Sequence, residues 1–440
     1  MHTLEQLRSG ALAGTRRLDL SAHLQTLPPE VFDLADTLEV LNLSGNQLHS
    51  LPHDLARLHR LKVIFCSNNP FTHLPEVLGE CAALQMVGFK ACQISHVPAA
   101  ALPPPLRWLI LTDNAVPELP DALGQRPALQ KLMLAGNRLS ALPDSMCQAQ
   151  QLELLRLSAN QFQTLPDWLS TLPRLSWLAL SGNPLGWQPS AVDAQPAALA
   201  SMHWNDLQVD TLLGEGASGH IYKVHTKASQ SLALKLFKGA VTSDGLPEHE
   251  LAACVAAGQH PALCTPCAEL VGHPQGARGL LLPLIAPSFI NLAGPPSLES
   301  CTRDVYPVDL RLSAAAALRV AVQVADAVAH LHQRGVVHGD LYAHNILWNP
   351  ADAQALLSDF GGATLLPAVG HPWRSALQAL EVRAFGYLLE ELLQLLGAAD
   401  AGSPAVHQLA ALVQACLVLV PAERPTMAQV AARLHAATRA

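Results

Sequence analysis

A period of 23 residues runs through the first part of the chain and limits the fold more than any other feature. Leucines recur at Leu38, Leu61, Leu84, Leu106, Leu129, Leu152 and Leu175, at spacings of 23, 23, 22, 23, 23 and 23 residues. One copy reads LEVLNLSGNQLHSLPHDLARLHR and another LQKLMLAGNRLSALPDSMCQAQQ, and a degenerate copy occupies 15–37. Alternating leucines such as Leu41 and Leu43 predict a short strand with one inward face. At a fixed phase after it stand Asn46, Asn69, Asn114, Asn137, Asn160 and Asn183, with Cys92 once in that place. An amide there is suited to satisfy backbone groups of neighbouring coils where the chain leaves the strand. Pro52, Pro75, Pro98, Pro120, Pro143 and Pro166 predict an extended segment on the opposite side. No copy can bury its leucines alone, so the copies must stack and share a core.

The pattern L-x-x-L-x-L-x-x-N-x-L-x-x-L-P resembles leucine-rich repeats. The resemblance implies a solenoid of about eight repeats over residues 1–190, with a concave face that binds a protein. One outward column reads Val40, Val63, Met86, Trp108, Lys131, Leu154 and Trp177. Val63, Met86, Trp108, Leu154 and Trp177 make it the expected face for a protein substrate or partner. The other use of the same column is an intramolecular contact with the second half of the chain. The pattern decays into a Pro- and Ala-rich stretch, so 191–204 reads as a linker or cap and 205–440 as a second domain.

Chemistry-bearing residues gather in that second domain. Gly214, Gly216 and Gly219 form G-x-G-x-x-G, enclosing Glu215, Ala217 and Ser218. The flanks VDTLL and HIYKV are strand-like, so the glycines are expected to cap a hairpin over phosphates and not to open a dinucleotide-binding helix. Lys235 lies inside the apolar run SLALKLFKG, where an ammonium is costly unless paired. Glu250, ten residues before His260-Pro261, is the expected partner, with Glu248 as the alternative register. Further on stand His338, Asp340 and Asn345 in VVHGDLYAHNILW, and then Asp359-Phe360-Gly361.

With EVRAFGYLLEELL and ERPTM following, the order and spacing resemble the eukaryotic-type protein kinase fold over roughly 205–440. The expected class is therefore α/β: an N-terminal leucine-rich-repeat solenoid followed by a two-lobed, protein kinase-like α+β domain. The resemblance implies ATP and Mg²⁺ as cofactors. It gives the glycine hairpin 214–219 and Lys235 to the nucleotide, Glu250 to holding Lys235, Asp340 to the acceptor hydroxyl, and Asn345 and Asp359 to the metal. It implies an ATP:protein phosphotransferase, of Ser/Thr type ahead of Tyr. A pseudokinase scaffold and a small-molecule phosphotransferase are the alternatives, the latter because HGD with an Asn five residues on also resembles aminoglycoside and choline phosphotransferases.

Three departures from the family pattern bear on this reading. Gly339 stands where many protein kinases have the arginine that pairs with a phosphorylated activation loop, so switching of that kind is not expected. Tyr342 replaces the lysine usual two residues after the aspartate. Between Asp359 and Glu381 there is no Ala-Pro-Glu triplet, which leaves Arg424 of ERPTM without its usual partner.

Composition excludes several other classes. Half of the residues are apolar, and the net charge of −8 is spread evenly, with 13 Lys+Arg against 16 Asp+Glu in residues 1–200. Without a basic stripe, neither nucleic acid nor an anionic membrane is an expected partner. The apolar run 313–332 is broken by Arg319 and Asp326 and reads as an amphipathic helix, not a span. The N-terminus has no apolar core of a signal peptide, and nine scattered cysteines fit free thiols in a reducing cytosol, so a cytoplasmic location is expected. Secretion by a route without a cleaved signal is the alternative. The CTPC at 264–267 has no matching Cys or His pair and reads as core or turn cysteines. The Ala-rich composition points to a bacterial source.

Overall fold

Short strands recur at the period of the repeats in the structure, a computed structural model. It describes residues 1–187, 199–216, 219–238, 242, 245–298, 300–397 and 403–439. The chain divides into two units: Met1–Leu175 with Asn183–Gly186, and Ser176–Gly182 with Trp187–Ala440.

In the first unit the short helix α1 (Leu4–Arg8) precedes seven three-residue strands: β1 (Arg17–Asp19), β2 (Val40–Asn42), β3 (Val63–Phe65), β4 (Met86–Gly88), β5 (Trp108–Ile110), β6 (Lys131–Met133) and β7 (Leu154–Arg156). They pair parallel in chain order and in strict register, so that Leu41, Ile64, Val87, Leu109, Leu132 and Leu155 form one inward ladder. All of these are buried. The recurring prolines are extended, as at Pro75, Pro98, Pro120, Pro143 and Pro166, and each opens a one-turn 3₁₀ helix on the side away from the strands.

The asparagines supply the polar half of the same construction. Asn137 Nδ2 donates to the carbonyls of Leu111 (2.8 Å) and Leu134 (2.9 Å), and its Oδ1 accepts from the Val116 amide at 3.0 Å. Asn160 repeats this with Leu134, Leu157 and Leu139. Each amide thus ties adjacent coils through groups that would otherwise be buried unpaired. At Cys92 the thiol keeps only longer contacts, 3.5 Å to the Cys66 carbonyl and 3.7 Å to that of Lys90.

The outward column departs from expectation. Val63 is 4% exposed, Met86 and Leu154 are 2% and Trp177 is 1%, so these side chains are not an open apolar face. The register sets Val40, Val63, Met86, Trp108, Lys131 and Leu154 side by side, about 4.8 Å apart, where each covers its neighbours. The Lys131 ammonium also lies 4.0 Å from the centre of the Trp108 ring. A partner surface built on Val63, Met86, Leu154 and Trp177 is corrected on that ground.

The second unit begins with β8 (Trp177–Ala179), which by sequence belongs to the last repeat. Most of the stretch read as a linker lies outside the described residues; its end, β9 (Ala200–His203), pairs parallel with β13 (Ala268–Val271). These strands join β10 (Leu207–Glu215), β11 (Gly219–Thr226), β12 (Ser231–Phe237) and β14 (Gly279–Pro283) in a sheet of order β10-β11-β12-β14-β13-β9. Val224, Leu232, Leu234, Leu270 and Leu281 form its core. Helix α2 (Pro247–Ala257) follows β12. The remainder is helical, with α3 (Ala314–Gln333), α4 (Pro372–Gln394), α5 (Pro404–Cys416) and α6 (Met427–Ala437) around the small strands β15 (Ile290–Asn291), β16 (Val336–Val337), β17 (Ile346–Asn349), β18 (Gln354–Leu357) and β19 (Thr364–Leu365). Helix α3 is long and apolar enough to cross a membrane by length and composition alone. Here it carries buried Ala317, Val320, Ala321 and Val324, and its Asp326 meets His435 of α6 at 3.0 Å.

Replacing Asn137 by Ala takes the acceptor from the buried Val116 amide, while the Leu111 and Leu134 carbonyls keep their second donors, Asn114 and Asn160. The expected cost is about 1–3 kcal/mol, read as a lower denaturant midpoint for the repeat unit.

Candidate active site

The β10–β11 hairpin carries the three glycines. Gly214 pairs with Ile221 and Glu215 with His220, and the Gly216 amide donates to the Gly219 carbonyl at 2.9 Å. Ala217 and Ser218 lie outside the described residues. A Cβ at Gly219 would lie 2.4 Å from the Leu236 carbonyl oxygen, so packing against β12 requires glycine there. A Cβ at Gly214 or Gly216 would meet nothing within 4 Å among the described residues. The Glu215 carboxylate turns to Lys238 at 2.5 Å.

Lys235 sits in β12 between Ile221 and Leu280 and is 7% exposed. Its ammonium donates to Glu250 Oε1 at 2.7 Å and to Asp359 Oδ1 at 3.1 Å. Glu250 of α2 is thus its partner, while Glu248 pairs with Arg278 at 2.9 Å. Burial alone would lower the lysine, but the two carboxylates outweigh it and raise its pKa. Desolvation would raise the Asp359 carboxyl; Lys235 and the Gly361 amide outweigh that and hold it below its ordinary value. Asp359 has φ +61, a left-handed conformation that aspartate tolerates better than most residues and that aims its carboxylate at Lys235.

The catalytic-loop candidates gather nearby. Asn345 Nδ2 donates to Asp340 Oδ2 at 3.0 Å and to the Asp340 carbonyl at 2.9 Å, fixing the carboxylate against the turn. The Asp340 amide donates to His338 Nδ1 at 3.3 Å, and His338 Nε2 meets the Ser358 carbonyl at 3.0 Å. A cleft of about 340 Å³ is lined by Leu213, Ile221, Ala233 and Leu347 at its apolar walls and by Lys235, Glu250, Asn345 and Asp359 at its polar end. Such a size and mix of walls suit a small anionic ligand with a flat apolar part. Asn345 and Asp359 offer hard oxygen donors beside the glycine hairpin, so the residues present fit a Mg²⁺–nucleotide group.

Several further residues hold this site in place. Glu381 of α4 accepts from the Gly339 amide at 2.8 Å and bonds His332 Nε2 at 2.8 Å. Gly339 has φ +70, and a Cβ on it would lie 2.3 Å from the Gly362 carbonyl oxygen. The missing arginine therefore has a backbone cause. Asp304 accepts from the Ala343 and His344 amides and meets His344 Nδ1 at 2.6 Å, clamping the turn that presents Asn345. Sequence reasoning missed Asp304, which lies in an irregular loop 36 residues before Asp340 and announces no pattern. Arg424 finds backbone in place of the absent glutamate, donating to the carbonyls of Ala379 (2.8 Å), Val418 (2.9 Å) and Leu419 (3.2 Å). Burial, with Arg383 nearby, pushes its guanidinium down to about 10.

Beside Asp304 lies a second, largely buried carboxylate. Glu391 accepts from Tyr306 Oη at 2.8 Å and from Arg303 at 3.2 Å. Burial and then the Asp304 charge push it up to about 7, against those two donors.

Comparison with known proteins agrees with both halves. The protein kinase domain model matches residues 298–393, which include Asp340, Asn345 and Asp359 and leave the glycine hairpin, Lys235 and Glu250 outside. Leucine-rich-repeat models match 37–58 and 127–185. A Dictyostelium discoideum protein named a probable inactive serine/threonine-protein kinase, roco10, is 31% identical over 118 residues, 26% of this chain and 4% of that protein. The human leucine-rich repeat and calponin homology domain-containing protein 1 is 30% identical over 93 residues, 21% of this chain and 13% of that protein. The chain thus spans only a small share of these relatives. A solved leucine-rich-repeat protein of Leptospira interrogans is 32% identical with a TM-score of 0.34, covering 39% of this chain and 50% of that one.

Two outcomes are expected. Gly339→Ala meets both the positive φ and the Gly362 carbonyl, and should cost about 2–3 kcal/mol in chemical denaturation. Glu391 has a folded pKa above the ordinary 4.5, so its contribution to stability is full below pH 4.5 and is lost as pH rises through about 7. Glu391→Gln should remove about 1–3 kcal/mol of that loss, visible as a flatter melting temperature between pH 5 and 8 (roughly the titration window).

Proposed function

We propose that this chain, in which leucine-rich repeats precede a protein kinase-like domain, is an ATP- and Mg²⁺-dependent protein kinase of Ser/Thr type. The observation that carries the reading is Lys235, bonded at once to Glu250 at 2.7 Å and to Asp359 at 3.1 Å inside the cleft. A buried ammonium shared by two carboxylates from separate elements contributes little as a structural device alone, since an apolar residue of similar volume would serve. It has a use when phosphate oxygens enter beside it.

In this mechanism the hairpin amides and Lys235 hold the phosphates of ATP. Asn345 and Asp359 would hold Mg²⁺, which would neutralise phosphate charge when bound. Asp340, oriented by Asn345, accepts the proton of the acceptor hydroxyl. As that oxygen bonds to the γ-phosphorus, the bond from phosphorus to the leaving ADP oxygen breaks. Proposed partners of the repeats are proteins, as is usual for solenoids of this kind.

A second reading, a nucleotide-binding domain without transfer, is favoured by the short segment between Asp359 and Glu381 and by the inactive label that roco10 carries. A small-molecule acceptor is the third, favoured by the same short segment. Purified chain with labelled ATP, Mg²⁺ and a generic protein substrate separates them. Label on protein that falls at least 100-fold in Asp340→Asn, with the Mg²⁺–ATP thermal shift kept, is the expected result. A thermal shift without protein label would overturn the protein-kinase reading in favour of the other two.

A further inference from the structure

We propose that Trp177 is a positioning residue of the catalytic loop, supplied to the second unit by a strand that is, in sequence, the last copy of the repeat. The inference deepens the phosphoryl-transfer reading and its kinetic arm rests on it. Trp177 Nε1–H donates to the Leu341 carbonyl at 2.9 Å, one residue past Asp340. Its ring stacks on Tyr342 with centroids 4.3 Å apart and planes 10° apart, and lies 5.7 Å from the Tyr387 ring on its way to α4. A stacked, fully enclosed indole with its N–H satisfied is a stiff anchor.

The rest of the strand is fastened to the same region. The Leu180 amide donates to Thr364 Oγ1 at 3.1 Å, and Thr364 belongs to β19, which pairs with β16 just before His338. A Cβ at Gly339 would stand 3.1 Å from the Leu178 carbonyl oxygen, so the strand backbone runs close above the start of the loop.

Seen along the loop, the anchors alternate. Glu381 takes the Gly339 amide, Trp177 takes the Leu341 carbonyl, and Asp304 takes the amides of Ala343 and His344. Asp340 lies between the first two, and Asn345 follows the last. Removing the middle anchor frees the residues on which the Asp340 carboxylate depends. Tyr342, where the kinase pattern has a lysine, is thereby explained as the ring that Trp177 needs.

The test is hydrogen exchange on the full chain, in Trp177→Phe, which keeps a ring and loses the N–H, and in Trp177→Ala. Exchange of the amides at 339–345 should rise about tenfold in Trp177→Phe, the loss of one buried bond, and more in Trp177→Ala. Peptides covering 207–237 should stay unchanged. In the same samples, kcat should fall about tenfold with KM for ATP within twofold. Unchanged exchange at 339–345 in both variants overturns the proposal, as does acceleration spread evenly over the unit. Should Trp177→Ala fail to fold, Trp177→Phe decides alone. Acceleration localised to 339–345 in the variants, with a wild-type chain that transfers no phosphate, would support the positioning role while removing the kinase reading, so the two failures are distinct.

Discussion

A positive charge inside an apolar strand must be met by negative charge, and the second unit is arranged around that demand. Lys235 draws Glu250 from a helix and Asp359 from a loop more than a hundred residues away. An unpaired ammonium at that depth would cost several kcal/mol, so the sheet, α2 and the Asp359 turn cannot shift independently. The cleft is the space left beside this triad. Its polar end is fixed by the lysine's need for partners, and its apolar end by the strands that bury the lysine's stem.

The repeat unit meets the opposite problem with the same economy of means. Its strands are three residues long and offer little pairing each, so stability comes from the leucine ladder and from amides that bridge coils. Where Cys92 interrupts the asparagine column, the coil persists because its neighbours on both sides remain tied.

What could be read from the sequence followed from periodicity and from charges in costly places. The 23-residue spacing gave the strand phase and the role of Asn137 and its equivalents, because each depends only on residues within one copy and the next. Lys235 and the triplet at Asp359 stood out because charge and glycine are constrained wherever they fall. Asp304 and the anchor role of Glu381 were hidden, since each acts through backbone groups far away in sequence, and backbone groups leave no letter. Trp177 stood in a column read as open to a contact with the second half of the chain, but its partners Leu341 and Tyr342 were not legible. The apolar column was misread for a related reason. Alternation shows which side of a strand a residue faces, but not what lies over that side, and Met86 and Leu154 prove buried. Gly339 and Arg424 looked like losses against the family pattern, yet a positive φ and three carbonyls account for them.

Trp177 has a consequence for how such a chain can change over generations. The residue obeys two grammars at once: its neighbours Leu175, Leu178 and Leu180 keep the repeat pattern, while its own ring and N–H serve the loop at 341–342. Whole copies upstream of residue 175 can be gained or lost in units of 23 residues without touching that bond. The last copy cannot be exchanged freely for another, because elsewhere in the outward column only the copy with Trp108 carries a tryptophan at that phase. The array is therefore free in its length and fixed at its end.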